Sequence, residues 1–156
     1  MHVPADLPSP STERLRLILG VKLGLLTLAE RLRQNWAAHA AAAGLSTAQV
    51  NALLALVPGE AAPMRSLAAQ LNYDASNLSV LVDRLERRGA VERRPDPGDR
   101  RVKALLLTPE GERLREAFWR DLVEDSEPLS PLTGDGLREL AALLAVLGAA
   151  DPAPAG

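Results

Sequence analysis

Residues 66–108 read SLAAQLNYDASNLSVLVDRLERRGAVERRPDPGDRRVKALLLT, and the order of local patterns within them decides the fold. Ser66 to Leu71 is a short helical pattern with apolar residues at 67, 68 and 71, and Asn72-Tyr73-Asp74 offers a tight turn after it. A longer helix follows at once, with Asp74 or Ser76 as its cap and Leu78, Leu81, Val82 and Leu85 repeating at three- and four-residue steps on one face. Gly89 stands where a left-handed residue would end that helix. Val91 to Arg94 and Val102 to Leu107 then read as strands, and the Pro-Asp-Pro-Gly cluster between them reads as the turn of a hairpin. Short helix, tight turn, longer helix and hairpin together are the order of a winged helix-turn-helix.

In that arrangement the first turns of the longer helix meet the DNA major groove, and a helix start is itself suited to phosphate. Ala75, Ser76, Asn77, Ser79 and Val80 are the residues expected to be exposed there. Asn77 can pair with an adenine edge, Ser76 and Ser79 can donate to base or phosphate, and Val80 can touch a thymine methyl group. Arg84, Arg87 and Arg88 lie further along and are expected on backbone phosphate. In the hairpin, Arg100 and Arg101 start the return strand with side chains on opposite faces, and an Arg fork stays charged and suits a narrow minor groove. Asp99 would repel phosphate, so its use there is to hold Arg101, two residues on and on the same strand face. Each residue also has an ordinary reading. Asn and Ser are common cap residues, and an Arg-rich turn with one ion pair is usually a solvated surface. Only their order along the chain favours the functional reading.

Charge is distributed accordingly. Residues 64–103 hold nine Lys or Arg against six Asp or Glu, within a chain whose net charge is −2. A locally basic module in a weakly acidic protein fits specific DNA binding, where a few phosphate contacts outweigh overall pI. It fits poorly with coating nucleic acid or a membrane surface.

With these motifs read, Leu67 to Gly111 resembles the MarR family of bacterial transcriptional regulators, and weaker similarity extends from about Leu17 to Leu147. The run Asp99-x-Arg101-x-x-x-Leu105-x-Leu107-Thr108 matches that family's wing signature without a gap. The resemblance implies that Arg101 enters the minor groove and that Asp99 braces it. Two positions depart from the family pattern: Val80 stands where an Arg or other polar residue is frequent, and Asn72-Tyr73 replaces the usual Gly-apolar pair of the turn.

The flanks supply the remaining helices. From Ser11 or Thr12 to about Ala43 the chain favours helix, and its many Leu residues exceed one face, so burial on more than one side, with a partner subunit, is expected. Ser46-Thr47-Ala48-Gln49 fits a capping box for a helix reaching Val57 before Pro58-Gly59. Thr108-Pro109-Glu110 opens a helix to about Ser126, and Thr133 opens a last one with Leu137, Leu140, Ala141, Leu144 and Leu147 on one stripe before Gly148. The expected fold class is mainly α with a small β-hairpin wing, an α+β winged helix-turn-helix with N- and C-terminal dimerisation helices. A single domain is expected over residues 12–150: residues 12–45 and 109–148 form the dimerisation helices, and 46–108 form the DNA-binding lobe. Residues 1–11 and 151–156 are expected to be flexible tails. The resemblance implies that the terminal helices build a homodimer, which would space two reading heads for a palindromic site.

Other functions find little support. There is no Cys, which removes thiol chemistry, and His2 and His39 are the only histidines. Neither metal-ligand spacing nor a nucleophile elbow nor a phosphate-cradling Gly loop is present, so no enzyme activity, metal or cofactor is expected. No signal-peptide pattern or uncharged apolar run long enough to span a membrane is visible, and the cytoplasm is the expected location. The resemblance implies a crevice for a small aromatic or phenolic effector lined by the first, second and fifth helices, with Trp36, His39 and Asn51 as candidates. The ordinary reading makes Trp36 a core residue and His39 a surface one, with Phe118 and Trp119 as packing residues. The competing functional class is a winged-helix protein-interaction module without DNA readout. The paired Arg of the hairpin counts against it and Val80 counts for it.

Overall fold

The computed structural model describes residues 11–95 and 103–149. In chain order it contains α1 (Ser11–Ala42), α2 (Thr47–Leu54), β1 (Ala62–Pro63), α3 (Met64–Leu71), α4 (Ala75–Arg87), β2 (Val91–Pro95), β3 (Lys103–Leu107), α5 (Pro109–Glu124) and α6 (Gly134–Val146). The fold is mainly helical with a small antiparallel sheet, as the pattern of residues 66–108 predicts. Residues 1–10 and 151–156 of the expected tails and the hairpin tip, including Asp99, Arg100 and Arg101, lie outside the described residues, while Ser11 already belongs to α1.

Local chemistry sets most helix ends. The capping box before α2 is complete: Gln49 N–H donates to Ser46 Oγ at 3.2 Å, and Ser46 N–H donates to Gln49 Oε1 at 2.9 Å. That helix stops at Leu54, short of the expected Val57. Thr108 and Thr133 cap α5 and α6 by accepting the N–H of Gly111 and Gly136, at 3.1 and 3.3 Å. Asp74 is the N-cap residue of α4, but its side chain makes no cap bond. The first and fourth helices end in a left-handed device that α3 and α6 share. Gly44 after α1 (φ +67°) lets Leu45 N–H reach Ala40 O at 2.9 Å, and Gly89 after α4 (φ +76°) lets Ala90 N–H reach Leu85 O at 2.9 Å.

Two units are resolved by contacts, one comprising residues 34–125 and the other comprising 11–33 with 126–149. The first holds the core. Leu67 of α3, Leu78, Val82 and Leu85 of α4, Val50 and Leu53 of α2, and Phe118 of α5 are buried in it, together with Val91, Leu105 and Leu107 of the sheet. Leu81, expected on the same face of α4, is half-buried. The sheet order is β1-β3-β2, with Val91 opposite Leu107, Pro95 opposite Lys103 and Ala62 opposite Leu105. The two-residue β1 adds an edge that the sequence pattern did not announce.

The second unit contains the first turns of α1, the 126–133 connection and α6. Leu28, Leu129, Leu132, Leu140 and Leu143 line an apolar groove in it. No residue of α6 is buried, and Leu143, Val146 and Leu147 are exposed, as are Leu15, Leu17, Val21 and Leu26 of α1. The multi-sided apolar character expected of α1 is thus present, with much of it facing solvent in the single chain.

Candidate nucleic-acid interface

The interface is built from the turn upward. Asn72 closes α3 in the left-handed region (φ 53°, ψ 43°), a conformation that Asn tolerates better than most side chains, and Tyr73 N–H returns to Ala68 O at 2.9 Å. The chain then enters α4, whose inward face is pinned by Leu78, Val82 and Leu85. Pinning that face turns the opposite one out. Ala75, Ser76, Asn77, Val80, Arg84 and Arg87 are exposed and Ser79 is half-buried, so every α4 residue expected to meet DNA is on one accessible side or its margin. Val80, apolar and β-branched, is 52% exposed on this face.

Charges on this face are arranged unequally. Asp83 and Glu86 are the acids of α4, and the guanidinium of Arg93, projecting from β2, pairs with both. This arrangement offsets part of the negative charge that would otherwise repel phosphate. Arg87 donates through Nε to Asp83 O at 3.2 Å, while Arg84 has no ion-pair partner among the described residues. Arg94 pairs with Glu92 at 2.6 Å. Because Asp74 supplies no cap bond, the first N–H groups of α4 lack a side-chain acceptor from that residue, the condition under which a helix start accepts an anion.

Arg88 differs from its expected place on phosphate. Its guanidinium donates to Gly44 O at 2.8 Å and to Ala43 O at 2.7 Å, at the C-terminal end of α1. The reason is that helix C-terminal carbonyls are short of donors and carry negative dipole charge, so a nearby cation is drawn to them. Neither this contact nor the Arg93 clamp has a local sequence signal. Each joins residues from different elements, and only the burial of the intervening core brings them together.

The hairpin that would carry the wing is in place up to its base, with β2 ending at Pro95 opposite Lys103. Trp36, His39 and Asn51 all belong to the unit of residues 34–125. Trp36 is half-buried and packs edge-on against Phe118, with ring centres 5.0 Å apart, and against Trp119 at 6.1 Å. His39 Nε2 lies 3.0 Å from Asp125 Oδ2, which also accepts from Asn35 Nδ2 at 2.8 Å. An ionised Asp125 therefore requires the proton of a neutral His39 to sit on Nε2. Asn51 is half-buried on α2. Phe118 is in the core, as expected, whereas Trp119 is 42% exposed.

Fold and interface define a winged helix-turn-helix protein. Residues 43–102 match the MarR family model. The uncharacterized HTH-type transcriptional regulator YsmB of Bacillus subtilis (strain 168) is 37% identical over 65 residues, a match covering 37% of this chain and 44% of that protein. The chain thus spans less than half the length of this curated relative. Among solved structures, a MarR family protein from Bacillus stearothermophilus is similar with a TM-score of 0.75 and 23% identity, over 85% of this chain and 94% of that one. A mutant MarR from E. coli complexed with operator DNA is similar with a TM-score of 0.66 and 24% identity, over 83% and 94% of the two chains. Residues 43–102 of this chain are thus similar to the MarR family, and its fold is that of solved MarR structures.

Proposed function

We propose that the chain is a sequence-specific double-stranded DNA-binding transcriptional regulator, a ligand-responsive repressor that holds palindromic operators as a homodimer. The observation that carries this reading is the outer face of α4, where Ser76, Asn77, Val80 and Arg84 stand exposed while Arg93 engages both acids beside them. A DNA duplex is the partner that needs this combination of short polar readers and uncompensated cation. Resemblance to an operator-bound MarR protein supports the same partner. Ser76, Asn77, Ser79 and Val80 read base edges, and Arg84 binds phosphate. Arg101, braced by Asp99, reads groove shape from the wing, and Arg100 binds the adjoining backbone.

The homodimer rests on the exposed apolar residues of α1 and α6, such as Leu17, Leu26, Leu143 and Val146. The effector is a small aromatic or phenolic molecule, with Trp36, His39 and Asn51 as its contacts, a reading that rests on the MarR resemblance. No described helix is long and apolar enough to cross a membrane, and a cytoplasmic site of action belongs to the same proposal. Val80 favours one competing reading, an apolar contact with a protein instead of DNA. Selection of bound duplexes from a genomic fragment pool decides between them. Recovery of a shared, two-fold symmetric sequence supports the regulator, and recovery of none overturns it.

A further inference from the structure

We propose that Arg88 is a positioning residue of the DNA interface, which sets the attitude of α4 by fastening its C-terminal end to the C-terminal end of α1. The inference rests on the DNA-binding reading above and departs from it in giving this Arg no phosphate. Arg88 is the C-cap residue of α4 itself, so its backbone moves with that helix. Its guanidinium bonds Ala43 O and Gly44 O through two different nitrogens, at 2.7 and 2.8 Å. The left-handed turn at Gly44 already satisfies the carbonyls of Ala40 and Ala41, from Leu45 and Gly44 N–H at 2.9 Å each, and leaves those of Ala43 and Gly44 to Arg88. Those carbonyls also end a helix of 32 residues, where the aligned peptide dipoles leave partial negative charge. The fit is close on the other side as well, because a Cβ at Gly44 would lie 3.1 Å from Arg88 Nη1. A forked cation gripping two carbonyls fixes direction as well as distance, which a Lys would not do.

The opposite side of the same turn is also tied down. Thr108 N–H donates to Ala90 O at 3.1 Å and its hydroxyl donates to Gly89 O, so the end of α4 is held between the close of α1 and the start of α5. Residues within a rigid anchor of this kind adjust how α4 enters the groove without touching DNA.

The test uses the full chain with its best duplex from a random-sequence selection and a scrambled duplex of equal length. Arg88→Gln is expected to weaken the selected duplex by about three- to thirtyfold, to leave the scrambled one unchanged, and to keep the salt dependence of binding at its original slope. Arg88→Lys is expected to behave like Arg88→Gln. Arg84→Ala, the phosphate control, is expected to weaken both duplexes in step and lower the slope by about one. If Arg88→Gln instead follows the Arg84→Ala pattern, if Lys restores binding, or if affinity is unaltered, the positioning role is overturned. Failure of the unaltered protein to select any duplex would defeat the DNA-binding reading instead. In that event amide exchange at Leu45, faster in Arg88→Gln than in the unaltered chain, still registers the fastening, and equal exchange overturns it.

Discussion

At Gly111 the backbone of α5 passes so near the turn after α4 that a Cβ would sit 2.0 Å from Ala90 O. That obstacle is backbone and cannot swing aside, so Gly111→Ala is expected to cost about 1–3 kcal/mol through forced displacement of α5, measured as a lower urea midpoint with an unchanged slope. Residues on the outer face of α4 should behave in the opposite way. Asn77 is exposed, so Asn77→Ala should leave stability nearly unaltered. It should relax base preference at one position of each half-site, read from duplexes selected by the two proteins. Arg101→Ala should weaken operator binding and lower its salt slope by about one, measured by titrations at several salt concentrations. An unchanged slope would remove Arg101 from phosphate neutralisation.

Among the elements, those announced by short-range chemistry were the most legible. Ser46 with Gln49, Thr108 before Pro109, and Thr133 marked helix starts because a cap and the N–H that donates to it lie three residues apart in the chain. Thr108→Ala should therefore cost about 1–2 kcal/mol, seen as a lowered melting temperature, since it strips the cap of α5 and its hold on Gly89. Phe118 was legible as packing, and with 2% exposure and an edge-on contact to Trp36 its replacement by Ala should cost about 3–5 kcal/mol in the same assay. What could not be read locally follows a common cause. β1 is two residues long, one of them Pro63, and exists as a strand only because β3 lies beside it. Arg93 reaches Asp83 and Glu86 across a turn, and Arg88 reaches residues 44 and 45 positions away along the chain. Such contacts depend on the packed core, and side-chain periodicity carries no record of them. Trp36 could be placed on α1, but its partners Phe118 and Trp119 could not.

At the scale of the molecule, the apolar residues left exposed on α1 and α6 predict association. Sedimentation at micromolar concentration should show a dimer, and Leu143→Glu or Val146→Glu should shift it toward monomer while the helical content is retained. A monomeric unaltered chain would contradict this. The sheet, by contrast, is poorly made for self-association. Its outer strand on one side is only Ala62–Pro63, and Pro63 lacks the N–H that a further strand would require. On the other side β2 carries Glu92, Arg93 and Arg94 and closes on Pro95. Both borders of the sheet are thus blunted against edge-to-edge stacking, the route by which open strands seed aggregates. The Leu and Val residues exposed on the helices therefore have no open strand to continue in the described sheet, because each of its borders carries a proline.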